Sequence, residues 1–193
     1  DQALERAGGG LAMVEQYAVT LDHIGSAPDS CQNIYIRAAG GSEGYGIGGT
    51  IGVKLAAPDK PVIGLVGDGS MFYADSGMWT ASNHNIPVLY VISNNQSYGI
   101  VAGRFGSVEG VMKQSGEYAG VVLEGIDPVK IAEGFGLEGL CVSEESELEK
   151  AINRGMDVVT KEGRPFLLDV RLPLGVPQGG RAATPFRLWS VSK

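Results

Sequence analysis

Cysteine is nearly missing: Cys31 and Cys141 are the only two among 193 residues, far apart and in no CxxC pair. That excludes a disulfide framework, a zinc finger and a cysteine-ligated iron–sulfur cluster, and the two read as free thiols of a reducing compartment. No run of 18 or more apolar residues and no basic-then-apolar leader occurs, so the sequence reads as soluble and cytoplasmic, with no membrane partner. It opens on Asp1 in place of Met, which leaves room for residues upstream. Charged residues are sparse at 19% and hydrophobic ones reach 44%, which excludes a disordered chain and fits one packed core. A basic excess is missing as well. The net charge of −7 is uneven: Arg171, Arg181, Arg187 and Lys193 stand without an acid from residue 171 on, leaving 11 basic against 22 acidic side chains before them. So acidic a body excludes binding of a nucleic-acid backbone as the main task, and a polyanion held here needs a metal ion or backbone N–H groups.

What abounds is glycine, 30 of 193 residues, about twice the ~7% of an average protein. Without a collagen-like period, this density signals many positions that need positive φ or close approach of another group. Seven of the glycines fall between Gly40 and Gly52, two flank Asp68, and six punctuate residues 103 to 125.

Apolar runs bounded by turn residues recur at 11–14, 61–66, 88–92, 139–142 and 166–170, and helical spacing lies between most of them, at 46–55, 76–84, 128–135 and 147–159. Short buried strands alternating with helices predict an α/β fold, a doubly wound and mainly parallel sheet with helices on both faces. Asp127-Pro128 reads as an N-cap followed by proline at the first helical position, and Ser146 as the cap of the helix that follows it. Residues 103 to 125 break the pattern and predict a long irregular connection of the functional or mobile kind. Residues 1–172 make one domain. The tail, 173–193, is irregular, and its Phe186 and Trp189 predict docking onto the domain or a partner.

Chemistry concentrates at two predicted strand ends. The strand through Val66 runs into Gly67-Asp68-Gly69-Ser70; after a helix, the next ends in Ser93-Asn94-Asn95. Ligands of open α/β sheets gather at the carboxyl ends of strands. If these two strands are neighbours, a carboxylate and an amide oxygen converge, a hard-oxygen pair suited to Mg²⁺ or Ca²⁺. The helix that begins near Ser70 directs free N–H groups at the same place, which favours a phosphate.

Gly-Asp-Gly followed by 24 residues and Asn-Asn resembles the diphosphate-binding motif of thiamine diphosphate enzymes. Ala38-Ala39-Gly40-Gly41, the stretch from Ile51 to Ala56, Trp79-Thr80-Ala81, Asn85-Ile86-Pro87 and Tyr98-Gly99 match in order, and the likeness runs from about Val14 to Leu172. Within that family the sequence is similar to the benzoylformate decarboxylase and acetolactate synthase branch. The resemblance implies that Asp68, the Asn95 side chain and the Ser97 carbonyl hold the metal. It also places Gly67, Gly69 and Ser70 at the diphosphate, with Gly44, Tyr45, Tyr98, Gly99 and Ile100 around the cofactor. Thr20 either reaches the same phosphates or is a capping or surface residue.

Two departures bear on function. Members of the family carry a large apolar residue in the glycine-rich loop, wedged between the cofactor rings, and here Glu43 falls at that position. A buried carboxylate there carries a desolvation cost unless it is paired or protonated. Two registers stay open, with Glu43 or Tyr45 as the wedge. Arg104 follows Ile100 and Val101 in a stretch that is apolar in the relatives; it either clamps a substrate carboxylate or phosphate, or is a loop arginine in solvent. His84 reads as a helix-end or surface residue, His23 as a surface one, and Trp79 with Met78 as core.

The activating glutamate of such enzymes comes from a pyrimidine-binding domain, and single-chain members are far longer. The resemblance therefore implies half a site: the diphosphate-binding half of a 2-oxo acid decarboxylase or carboligase, a lyase or transferase. A second subunit would carry the glutamate in a hetero-oligomer such as α₂β₂. Two alternatives stand, an acetolactate synthase- or oxidase-like enzyme that also uses FAD, and a catalytically silent assembly or regulatory subunit.

Overall fold

The computed structural model describes residues 2–15, 33–37, 42–173 and 187–188. Six parallel strands form the central sheet: β1 (Leu11–Glu15), β2 (Ile34–Arg37), β3 (Val62–Gly67), β4 (Leu89–Asn94), β6 (Glu138–Val142) and β7 (Phe166–Arg171). Their order across it is β2-β1-β3-β4-β7-β6. Around it run α1 (Gln2–Arg6), α2 (Gly46–Ala56), α3 (Asp68–Met71), α4 (Gly77–Asn83), α5 (Gly99–Ser107), α6 (Val111–Ser115), α7 (Pro128–Gly134) and α8 (Glu145–Asp157). Among the described residues no helix is long and apolar enough to cross a membrane.

Alternation along the strands divides the core in two. Val62 and Val66 of β3, Tyr90 and Ile92 of β4 and Leu167 of β7 pack with Ile47 and Ile51 of α2, Met78 and Ala81 of α4 and Ala132 of α7. Ile63, Leu89, Phe166 and Leu168, displaced by one residue, pack on the other face with Leu4 of α1 and with Ala151 and Met156 of α8. Side chains of consecutive strand residues point to opposite faces, and a parallel sheet covered on both needs apolar residues on both. The doubly wound sheet expected from the sequence is the fold observed.

Three local expectations need correction. Residues 103–125 are not a long irregular connection. They carry most of α5, then α6 and β5 (Glu117–Tyr118), held by a small cluster of Ala102, Tyr118 and Val121 with Tyr98, Met112 and Val122 against it. Trp79 is exposed while Met78 is fully buried, because neighbouring helical positions point about 100° apart and only Met78 faces the sheet. Ser146 is not the cap of α8; Glu144 takes that place, and the helix starts at Glu145. Strand β2 lies at the sheet edge beside β1 and was not expected. The Asp127 cap is present as read, its Oδ1 accepting from the Val129 and Lys130 N–H groups at 3.1 and 3.2 Å. In the tail, β8 (Arg187–Leu188) pairs with β5.

Candidate functional site

Strands β3 and β4 are neighbours, with Gly67 opposite Ser93 at the last paired position. Asp68 and the Asn94–Ser97 turn therefore leave the same edge of the sheet side by side. The Asp68 carboxylate is buried and accepts from the backbone N–H groups of Gly69, Gln96 and Ser97, so the two strand ends are joined through it. Burial nevertheless dominates and pushes its pKa up to about 6. Its Oδ2 is buried and meets no hydrogen-bond donor among the described residues. A buried carboxylate oxygen with an open side is costly unless the group is protonated or a cation sits beside it. Asn95 is half-buried with its Oδ1 on the Ser97 N–H at 3.2 Å, and Ser97 is buried. Among the described residues no three histidine, cysteine or acidic side chains gather. A cation at Asp68 would thus be met by a single carboxylate, a hard oxygen donor of the kind that suits Mg²⁺.

The backbone beside Asp68 is covered tightly. A Cβ at Gly69 would stand 2.6 Å from the Tyr98 ring, so only glycine lets that ring close over the Gly-Asp-Gly turn. Ser70 is buried, and its hydroxyl donates to Glu43 Oε2 at 3.2 Å. Glu43 itself is exposed on this chain, so the burial cost expected of a wedge carboxylate is not incurred within it. Tyr45 is tied inward instead: its hydroxyl donates to the Val14 carbonyl at 2.9 Å. Of the two registers, it is Glu43 whose side chain lies beside Ser70, next to Asp68.

Glu15 is the residue here that the sequence reading missed. It ends β1, is 1% exposed, and its carboxylate accepts from the N–H groups of Gly44, Tyr45 and Gly46, the last at 2.6 Å. Tyr45 is the N-cap of α2 and Gly46 its first residue, so two of these N–H groups are orphan donors of the helix start, which a carboxylate satisfies and the helix dipole favours. A Cβ on Gly46 would collide with Glu15 Oε2, so glycine is what admits the carboxylate. Burial raises the Glu15 pKa, partly opposed by these N–H groups. The only sequence signal was an acid closing an apolar run.

The other expected residues are placed as follows. Gly67 ends β3, Gly99 starts α5 and is buried, and Ile100 is exposed on the same helix. Arg104 lies in the last turn of α5 with its side chain in solvent, one turn beyond Ile100, and so belongs to a helix and not to a loop. His84 is the exposed C-cap of α4. Thr20, His23 and Cys31 lie outside the described residues. Cys141 is exposed and free.

Residues 17–170 match the model of the thiamine pyrophosphate enzyme C-terminal TPP-binding domain. The chain belongs to that family. It is 32% identical over 136 residues to benzoylformate decarboxylase of Pseudomonas aeruginosa, covering 70% of this chain and 24% of the relative. It is 30% identical over 132 residues to acetolactate synthase isozyme 1 large subunit of Escherichia coli, covering 68% and 22%. Among solved structures it superimposes on a thiamine diphosphate-dependent 4-hydroxybenzoylformate decarboxylase of Rhodococcus jostii with a TM-score of 0.74 at 32% identity, over 91% of this chain and 32% of the other. The chain therefore spans about a quarter of the length of the curated relatives it matches. As a TPP-binding domain it shares a family with decarboxylases and acetolactate synthases.

Proposed function

We propose that this chain is the diphosphate- and Mg²⁺-holding half of a thiamine diphosphate-dependent 2-oxo acid decarboxylase or carboligase, completed by a pyrimidine-binding domain on a second subunit. The observation that carries the reading is the buried Asp68 Oδ2, without a donor among the described residues, beside the Asn95–Ser97 turn. In this reading Asp68, the Asn95 side chain and the Ser97 carbonyl hold Mg²⁺. Gly67, Gly69 and Ser70 meet the diphosphate, and Tyr98 keeps water from the Gly-Asp-Gly turn. The acidic body is compatible with such a ligand, because a metal ion and backbone N–H groups neutralise a diphosphate without lysine. Gly44 and Tyr45, anchored by Glu15, present Glu43 toward the cofactor rings, and Thr20, Gly99 and Ile100 complete its surroundings. Arg104 is in reach of solvent one turn further along α5, where its fixed fork suits a substrate carboxylate or phosphate. When bound, the cofactor supplies a nucleophilic carbon and an electron sink for loss of CO₂ from a 2-oxo acid; the protein supplies binding, orientation and electrostatics. Residues 1–172 form the binding domain, and the β5–β8 pairing supports a tail that docks on it.

Calorimetric titration of the natural complex with thiamine diphosphate and Mg²⁺ tests this. Loss of a charged partner is worth ~1.5–3 kcal/mol, so Asp68→Ala weakens binding by at least about tenfold. The hold of Glu43 on the Ser70 hydroxyl favours a second reading, a silent subunit that uses the fold for assembly. Absence of binding in the wild type, with Asp68→Ala indistinguishable from it, would select that second reading.

A further inference from the structure

A line of polar contacts crosses from β7 to the turn after β4. Asp169 of β7, fully buried, forms an ion pair with Arg171 Nε at 2.9 Å through Oδ2. Its Oδ1 accepts from Asn94 Nδ2 at 2.8 Å, and Asn94 is buried as well. The other end of that amide, Asn94 Oδ1, accepts from the Gln96 N–H at 3.1 Å. Gln96 sits at φ +57°, a left-handed conformation that a glutamine rarely adopts without outside support. The Asp68 carboxylate shares the Gln96 N–H and takes the Ser97 N–H as well, and backbone bonds hold the far side of the turn, Leu123 N–H to the Gln96 carbonyl at 2.9 Å and Tyr98 N–H to the Val121 carbonyl at 2.8 Å.

The chemistry of the partners determines which way the Asn94 amide faces. An amide donates at one end and accepts at the other, an ionised carboxylate only accepts, and a backbone N–H only donates. Asp169 therefore takes the NH₂ end, which leaves Oδ1 for Gln96. Reversing the amide would set carboxylate against carbonyl oxygen and NH₂ against N–H, two buried mismatches at once. The Asn94 NH₂ group and the Arg171 charge both favour the ionised, acceptor-only form of Asp169 against its burial.

We infer that Asp169 is a positioning residue. Through the Asn94 amide, which shares the Gln96 N–H with Asp68, it holds Gln96 in its left-handed conformation and so places the Asn95 side chain and the Ser97 carbonyl. The assignment of those two groups to the metal rests on the function proposed above, but the positioning itself does not.

Exchanging the two side chains tests the inference. Asn94→Asp sets two buried carboxylates face to face. Asp169→Asn removes the acceptor-only partner and turns an NH₂ group toward either Asn94 or Arg171. Combined, they rebuild the line from residue 169 to Gln96 in reverse: the new amide donates to residue 94, residue 94 still accepts from Gln96 N–H, and the amide oxygen faces Arg171. Hydrogen exchange of the Gln96 amide, followed by NMR on the full chain, should speed up by about tenfold or more in each single variant and return to within about threefold of wild type in the double variant. Unchanged exchange in both single variants overturns the inference, as does a double variant as fast as the singles or unfolded. Should a single variant fail to fold, a folded double variant with wild-type exchange sustains it. Mn²⁺ affinity in the presence of thiamine diphosphate, read by electron paramagnetic resonance, should follow the same pattern. If exchange follows it while the wild type binds no Mn²⁺, the positioning stands and the metal reading falls.

Discussion

Glu15 shows how one side chain decides the shape of a loop 29 positions away. Its carboxylate gathers three successive N–H groups at the start of α2, and the loop so gathered presents Glu43 to Ser70. The arrangement is pH-dependent, and the sign follows from the direction of the pKa shift. Burial, more than the N–H groups oppose it, raises the Glu15 pKa from the ordinary 4.5. Above 4.5 and up to the folded value, the native state then binds more protons than the unfolded one. Stability from this residue is full below 4.5 and declines as pH rises through that window. Glu15→Gln should abolish that component of the slope, because the substituted side chain does not titrate. It should also lower stability at neutral pH by about 1–3 kcal/mol, since its NH₂ group must face the Gly46 or Gly44 N–H donors. Urea unfolding across the acid-to-neutral range measures both effects. A slope unchanged by the substitution would mean that other carboxyls control the profile.

At the scale of elements, helix α7 was legible down to its cap. Asp127 accepts from two N–H groups of the first turn and Pro128 occupies the position where a missing N–H costs nothing. Asp127→Ala should cost about 1 kcal/mol, a fall in Tm of roughly 2–4 °C for a chain of this size, and calorimetric scanning reads it directly. The β3 and β4 strand ends were legible for a related reason: apolar runs stop at residues whose chemistry belongs at a strand's carboxyl end. Elements that depend on distant packing were not. Strand β2 is four residues long and gives no periodic signal. Helix α5, Gly99–Ser107, contains three glycines and buries only Gly99 and Ala102; it exists because Ala102 packs on Tyr118 and Val121, and tertiary contact overrides its poor propensity. Glu15 and Asp169 were missed because an acid in or beside an apolar run announces burial without naming its partner. The partners, the 44–46 loop and Asn94, lie 29 and 75 positions away. The Asn94-Asn95 pair was read as one motif, yet the structure divides it, one amide facing β7 and the other turned back on Ser97.

At the scale of the whole molecule, several of the exposed apolar side chains among the described residues lie close together in sequence, just after the Asn95–Ser97 turn. Helix α5 follows directly from the Asn95–Ser97 turn and exposes Ile100, at 48%, with Val101 and Phe105; Val111, at the start of α6, is 80% exposed. Single exposed apolar residues are ordinary, whereas a series along consecutive turns is the kind of face an interaction surface uses. If the pyrimidine-binding domain docks there, acidic substitutions on that face should break the assembly without harming the fold. Val101→Glu with Phe105→Glu should weaken association in the natural complex by at least about tenfold, because charged groups would be buried unpaired at the interface. Each side chain is already solvent-exposed, so stability of the isolated chain should change by no more than ~0.5 kcal/mol per site. Native mass spectrometry of the complex and thermal unfolding of the chain separate the two effects. Association that survives both substitutions would move the partner to another face, and a chain that unfolds would show that these residues belong to the domain's own packing.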